Sequence, residues 1–343
     1  NIALWEQFLP ACRDDIVRIY DRLDISFDVE LGESFYHNRL AGIVQDCVQR
    51  GLARDSEGAT CIFLEGFDTP MIIRKRDGAF LYATTDLATI KYRLQTWNPD
   101  ALLYVVDFRQ SEHFSKLFAA ARQIDDHPLE LVHVSFGTVL GDDGRPFKTR
   151  SGDTVGLDGL LDEAVGRAHQ TVCENDNSKP IPELSEAQRH HIAEVVGIGA
   201  LKYADLAQNR TSDYVFSYDK MLAMNGNTAT YMQYSYARVH GIISRGNVKM
   251  EELRQSQTTI LLSHPAERAL AIKTVQFPEA LDHTVADYRP NLLTNYLFEL
   301  AQCYSNFFEN CPVLKADSEA ERNSRLLLCD LTARIIKQGL GLL

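Results

Sequence analysis

Between Ala101 and Phe136 the chain alternates in a way that few folds allow. Ala101–Val106 is a continuous apolar run bounded by Pro99-Asp100 and Asp107. Ser111–Ile124 carries Phe114, Leu117, Phe118 and Ala121 at helical spacing, and Leu129–Phe136 is a second apolar run. A run of that length without polar alternation fits a strand buried on both faces, as in a parallel sheet. Strand, helix and strand joined by short connections predict a βαβ unit. Upstream, Thr60–Leu64 and Pro70–Arg74 read as short strands. Asp77-Gly78, between Ile72-Ile73-Arg74 and Phe80-Leu81-Tyr82, reads as a hairpin turn, and a helix is predicted over Asp86–Gln95.

After Asp153 the pattern changes. Helices are predicted over Leu157–Cys173, Ser185–Gln208, Gly226–Arg245, Pro265–Val285, Asn291–Asn310 and Ser318–Leu340. Breaks such as Lys179-Pro180-Ile181-Pro182 and Cys311-Pro312 separate them. The fold class is therefore α/β followed by all-α, with the boundary between about Gly152 and Asn227. A length of 343 residues suits about two domains.

Charge and cysteine content narrow the setting. The net charge is −12, but from Leu222 onward 12 basic residues balance 12 acidic ones, so the excess lies in the first part. A neutral C-terminal part can carry basic faces, and a nucleic-acid partner stays open. Seven cysteines, an odd number with no Cys-x-x-Cys pair, point to reduced thiols and a cytoplasmic protein rather than a disulfide framework or a structural zinc, and no metal site is expected. No window approaches the roughly 20 apolar residues of a membrane span. The first residues lack a signal-peptide pattern and a Met, so the chain is expected to begin inside a longer protein.

Chemistry-bearing residues gather at the ends of the predicted strands. Lys148 and Arg150 lie two apart on a loop closed by Ser151-Gly152, just beyond the turn Asp142-Asp143-Gly144. Two cations on a Gly-flanked loop after a strand suit a polyphosphate, and a basic surface loop is the plain alternative. Tyr82 and Asp86 are four apart, and Asp86 reads equally as a helix N-cap. Gln110 follows the strand Ala101–Val106, at the carboxyl end where open α/β sheets bind ligands. His113 is a candidate phosphate or nucleotide contact, although a lone His is more often structural. A carboxylate, a phenol and an amide beside two cations suggest a nucleotide plus a basic small molecule.

Several segments together resemble one family. They are Tyr-Ala-Thr-Thr-Asp-Leu-Ala-Thr-Ile-Lys-Tyr-Arg (82–93), Asp-Phe-Arg-Gln-Ser-Glu-His-Phe (107–114), Phe-Gly-Thr-Val-Leu-Gly through Lys-Thr-Arg-Ser-Gly (136–152), Gly-Ile-Gly-Ala-Leu-Lys-Tyr-Ala-Asp-Leu (197–206) and Asn-Thr-Ala-Thr-Tyr-Met-Gln-Tyr-Ser-Tyr-Ala-Arg (227–238). In this order, nearly end to end, they resemble the bacterial arginyl-tRNA synthetases of class I. The resemblance implies the second half of a Rossmann-type catalytic domain at 1–155 with an inserted segment at about 25–80. A helical stem-contact region at 156–226 and a helical anticodon-binding domain at 227–343 would follow.

The resemblance also implies an activity: ATP-dependent formation of arginyl-adenylate, then transfer to the terminal adenosine of tRNA(Arg). Tyr82, Asp86 and Gln110 would read the guanidinium of L-arginine. Lys148, Arg150 and Ser151 would steady the ATP phosphates, accompanied by Mg²⁺, and Phe136-Gly137 would lie near the adenine. Tyr231, Tyr234 and Arg238, at i, i+3, i+7, would face the anticodon loop, with packing of the bundle as the alternative. Arg210 would contact the tRNA stem or a neighbouring domain. The protein is expected to act as a monomer.

Two departures stand out. The loop reads Phe-Lys-Thr-Arg-Ser rather than Lys-Met-Ser-Lys-Ser, and no His-x-Gly-His occurs. The chain is thus expected to be the larger C-terminal part of an enzyme, probed against the alternative of a non-catalytic tRNA-binding fragment or paralogue.

Overall fold

A computed structural model describes residues 2–124, 128–141, 143–146 and 156–343. The chain divides into two compact units, Ser26–Thr138 and a second unit made of Asn1–Ile25 with Val139–Leu343. Helix α1 (Ile2–Arg22) opens the chain and belongs to the second unit.

In the first unit a 3-10 turn (Glu33–Arg39) leads into α2 (Leu40–Gln49) and an antiparallel meander of β1 (Ala53–Ser56), β2 (Ala59–Ile62) and β3 (Met71–Arg74). Then come α3 (Tyr82–Trp97), β4 (Ala101–Asp107), α4 (Ser111–Ile124) and β5 (Glu130–Phe136). Strands β4 and β5 are parallel and in register from Ala101↔Glu130 to Asp107↔Phe136, so the predicted βαβ unit is present. Ile62, Ile73, Leu87, Ile90 and Leu117 share one buried cluster, which joins the meander, α3 and the βαβ unit into a single core.

Three local readings are corrected here. Helix α3 starts at Tyr82, four residues before the predicted start, so Phe80–Tyr82 is no strand. Only a lone bridge joins Phe80 to Arg74. The reason is burial: Ala83 and Thr84 face the core, and the Thr84 hydroxyl donates to the Ile73 carbonyl. Asp86 therefore sits inside the helix, and Leu81 occupies the N-cap. Asp77-Gly78 still turns the chain, with Gly78 at φ +87° and Lys75 N–H bonded to the Ala79 carbonyl at 2.8 Å. The apolar run of β4 is not covered on both faces, since Leu102 is buried whereas Leu103 and Val105 are 43% and 67% exposed.

Among the described residues the second unit is helical apart from a short parallel pair, β6 (Val139–Leu140) and β7 (Tyr214–Val215), and its connecting segments. Its helices are α5 (Leu157–Asn177), α6 (Glu186–Leu206), α7 (Tyr218–Met221), α8 (Ala229–Arg245), α9 (Met250–Gln255), α10 (Pro265–Val275), α11 (Phe277–Asp287), α12 (Pro290–Asn310) and α13 (Glu319–Gly341). The single helix predicted over Pro265–Val285 is two, because Pro278 lacks an amide donor and its ring excludes a continuing turn; the break falls at Gln276. Met232, Leu270, Leu297, Leu300, Tyr304, Phe307 and Ile336 form the centre of this bundle.

Two devices set the geometry of the second unit. A Cβ on Gly197 of α6 would lie 2.8 Å from the backbone of Ala164, so α5 and α6 touch where only hydrogen fits. Helix α1 is held to α5 by Arg22, which pairs with Asp158 at 3.0 Å and Asp162 at 2.8 Å. Among the described residues no helix is long and apolar enough to cross a membrane, and all seven cysteines are free thiols.

Candidate active site

The parallel register carries the C-terminal ends of β4 and β5 to one edge, where Asp107 stands beside Phe136. That edge is where open α/β sheets place ligands. Asp107 caps the 3-10 turn Phe108–Gln110 by accepting from the Arg109 amide at 2.8 Å. It also takes a bidentate pair from the Arg109 guanidinium, at 2.8 and 2.7 Å. These bonds hold its carboxyl down at about 2. The capped turn presents Gln110 exposed at the start of α4, and Phe136, 40% exposed, leads into Gly137.

Helices α3 and α4, already packed in one core, are also linked by a histidine. His113, only 14% exposed in its side chain, places Nε2 2.7 Å from Asp86 Oδ2. Its ring lies edge-on to that of Tyr82, with centroids 4.7 Å apart. Tyr82 and Asp86, one helical turn apart on α3, thus stand on one face against one imidazole. Tyr82 is 62% exposed and the Asp86 carboxylate is about one-third exposed, so both remain open to a ligand. A carboxylate fixed by a histidine beside a free phenol and an exposed amide offers acceptors to a cation rich in N–H donors.

Of the residues singled out from sequence, His113 contacts both Tyr82 and Asp86. Gln110 and Phe136-Gly137 lie on the same unit at the strand ends. Lys148, Arg150 and Ser151 lie outside the described residues. Sequence reading placed His113 at a nucleotide; its bond to Asp86 depends on how α3 crosses α4, which residue spacing does not encode.

In the helical unit, Tyr234 is 44% exposed. The Arg238 guanidinium lies 4.6 Å from its ring centroid and 4.9 Å from that of Phe308, and it donates to the Tyr234 hydroxyl at 3.0 Å. Tyr231 packs instead on the bundle core, its ring 6.0 Å from Phe298. Arg210 donates to the carbonyls of Tyr288 and Asp287 at 2.8 and 3.2 Å, at the end of α11. Orphan carbonyls and the negative helix end both favour that cation there.

Residues 2–218 match a family model described as tRNA synthetases class I (R), catalytic domain. This chain belongs to the class I arginyl-tRNA synthetase family. Residues 232–343 match a second model, the DALR anticodon binding domain, so the α/β part and the helical bundle are both family features. The chain is 53% identical, over its whole length, to the arginine–tRNA ligase of Rhodopirellula baltica and covers 52% of that protein. It is 48% identical to the arginine–tRNA ligase of Nostoc punctiforme, again over its whole length, and covers 59% of it. It therefore spans about half the length of the curated relatives it matches. Among solved structures, the arginyl-tRNA synthetase of Plasmodium falciparum superposes over 99% of the chain with a TM-score of 0.85 at 28% identity, and 57% of that chain is covered. The Thermus thermophilus arginyl-tRNA synthetase shares the fold, with a TM-score of 0.80 at 23% identity.

Proposed function

We propose that the chain supplies the arginine-reading half of an arginine–tRNA ligase. In the whole protein the arginine carboxylate attacks the α-phosphate of ATP, pyrophosphate leaves, and arginyl-adenylate forms. The arginyl group then passes to the 3′-terminal adenosine of tRNA(Arg). Tyr82, Asp86 and Gln110 take the guanidinium. Lys148, Arg150 and Ser151 meet the phosphates, while Phe136-Gly137 lies against the adenine. Mg²⁺ enters with ATP as part of the substrate. No protein nucleophile is needed, because positioning and charge stabilisation carry the reaction.

The proposed division keeps residues 1–155 as catalytic domain, with 25–80 as its insert. Residues 156–226 contact the tRNA stem, and 227–343 read the anticodon. Within the last, Tyr234 and Arg238 present a stacked ring and cation suited to an unpaired base and its phosphate. Tyr231 and Arg210 act through packing and helix capping. The protein works as a monomer in the cytoplasm.

The observation that carries this reading is the Asp86 carboxylate, pinned by His113 and left open beside Tyr82. Arginine-dependent ATP–pyrophosphate exchange by the full-length protein, with cognate tRNA present, tests it. Asp86→Ala is expected to raise the KM for arginine ~100-fold or more, the usual loss for a charge-assisted pair. An unchanged KM would remove Asp86 from the site, and no exchange by the unmodified protein would leave the non-catalytic tRNA-binding reading.

A further inference from the structure

The geometry points to a zinc-class metal site on the α5–α6 hairpin, built by His169, Cys173 and Glu186 and completed by His190. His169 and Cys173 are four apart on α5 and so share one face, one turn apart. Glu186 opens α6 directly after its N-cap, Ser185, and reaches across the hairpin to His169. His169 Nε2 lies 2.9 Å from Glu186 Oε1, and both ring nitrogens lie 3.8 Å from Cys173 Sγ. The three donor atoms fall within 4.8 Å of one another. Bond lengths of about 2.0–2.3 Å at a tetrahedral zinc put neighbouring donors about 3.3–3.6 Å apart. The two measured separations straddle that value, so small side-chain rotations seat the ion.

The fourth donor has a source in the sequence. His190 follows Glu186 by one turn of α6, and its ring centroid is 6.3 Å from that of His169. Its side chain is 63% exposed, with room to rotate toward the group, and lies 3.8 Å from the Glu194 carboxylate. Each helix thus offers two residues at i, i+4. The charges also balance: thiolate and carboxylate neutralise a divalent ion. Arg189, whose Nη1 lies 3.9 Å from Sγ, is already committed to Asp176 at 2.9 Å and Asn177 at 3.0 Å. A nitrogen, sulfur and single-carboxylate set selects zinc over magnesium or calcium.

The test is a cobalt(II) titration of the full-length protein after chelator treatment. The expected result is one equivalent bound with tetrahedral d–d bands and a thiolate-to-cobalt charge-transfer band, displaced by zinc. Cys173→Ser is expected to abolish the charge-transfer band, while Cys303→Ser keeps it. His169→Gln is expected to weaken binding by at least about 100-fold, since even outer partners of metal ligands are worth about 10–100-fold. Circular dichroism of each variant verifies its fold. Absence of the band at one equivalent, its survival in Cys173→Ser, or unchanged affinity in His169→Gln would overturn the site.

Discussion

In the proposed function recognition turns on Asp86, and the setting of this residue shows what spacing can and cannot convey. The interval of four from Tyr82 places phenol and carboxylate together once both are helical. The third member, His113, comes from a different helix 27 residues on. Its role is separable by kinetics. His113→Asn is expected to raise the KM for arginine about tenfold through a loosened Asp86 carboxylate, with the KM for ATP unchanged. A rise confined to ATP would return His113 to the nucleotide. Asp86 also illustrates a competing local rule: Thr-Thr-Asp reads as a cap, yet burial of Ala83 and Thr84 pulls the helix start back to Tyr82.

At the scale of elements, the α5–α6 hairpin is the most tightly specified piece of the helical unit. Gly197→Ala puts a methyl into the Ala164 backbone and is expected to cost about 1–3 kcal/mol in denaturant unfolding, as overpacking does. At the hairpin turn the buried Asp176 carboxylate accepts from the amides of Glu183 and Leu184 at 3.0 and 3.2 Å and from Arg189. These bonds, the Glu183 amide first, hold it at about 2, against 3.8 when unpaired. A lowered folded pKa means stability present above pH 3.8 and lost as pH falls from there toward 2. Asp176→Asn is expected to lower the neutral-pH Tm and flatten its decline across that window; an unaltered acid slope would contradict the assignment.

The helices themselves were legible from periodicity and Pro-Gly punctuation because their faces are long and amphipathic. Less was legible in the β6–β7 pair, whose two-residue strands are too short to show a period, and in α1, which is 21 residues long but carries Pro10 in its interior, where sequence reads a break. The exposed face of β4 was missed for another reason: an apolar run reports what residues prefer, not which neighbours cover them.

For the whole molecule, the division of charge and fold fits two tasks. The acidic excess resides before Leu222, and the neutral bundle carries Arg238 over Tyr234 on its surface. Tyr234→Ala with Arg238→Ala is expected to weaken tRNA binding, with a shallower salt dependence than the parent because a phosphate contact is gone. At saturating tRNA the KM for arginine should stay constant. A joint loss of both would place these residues in the fold rather than at the RNA.

The most direct measurement compares arginine with citrulline, its uncharged urea isostere, in ATP–pyrophosphate exchange by the full-length protein and its Asp86→Asn variant. The expected result is discrimination by roughly 10²-fold or more in the parent, as for loss of a charge-assisted pair, and its collapse in the variant. Equal discrimination by both proteins would contradict the reading of Asp86 as the guanidinium's counter-charge.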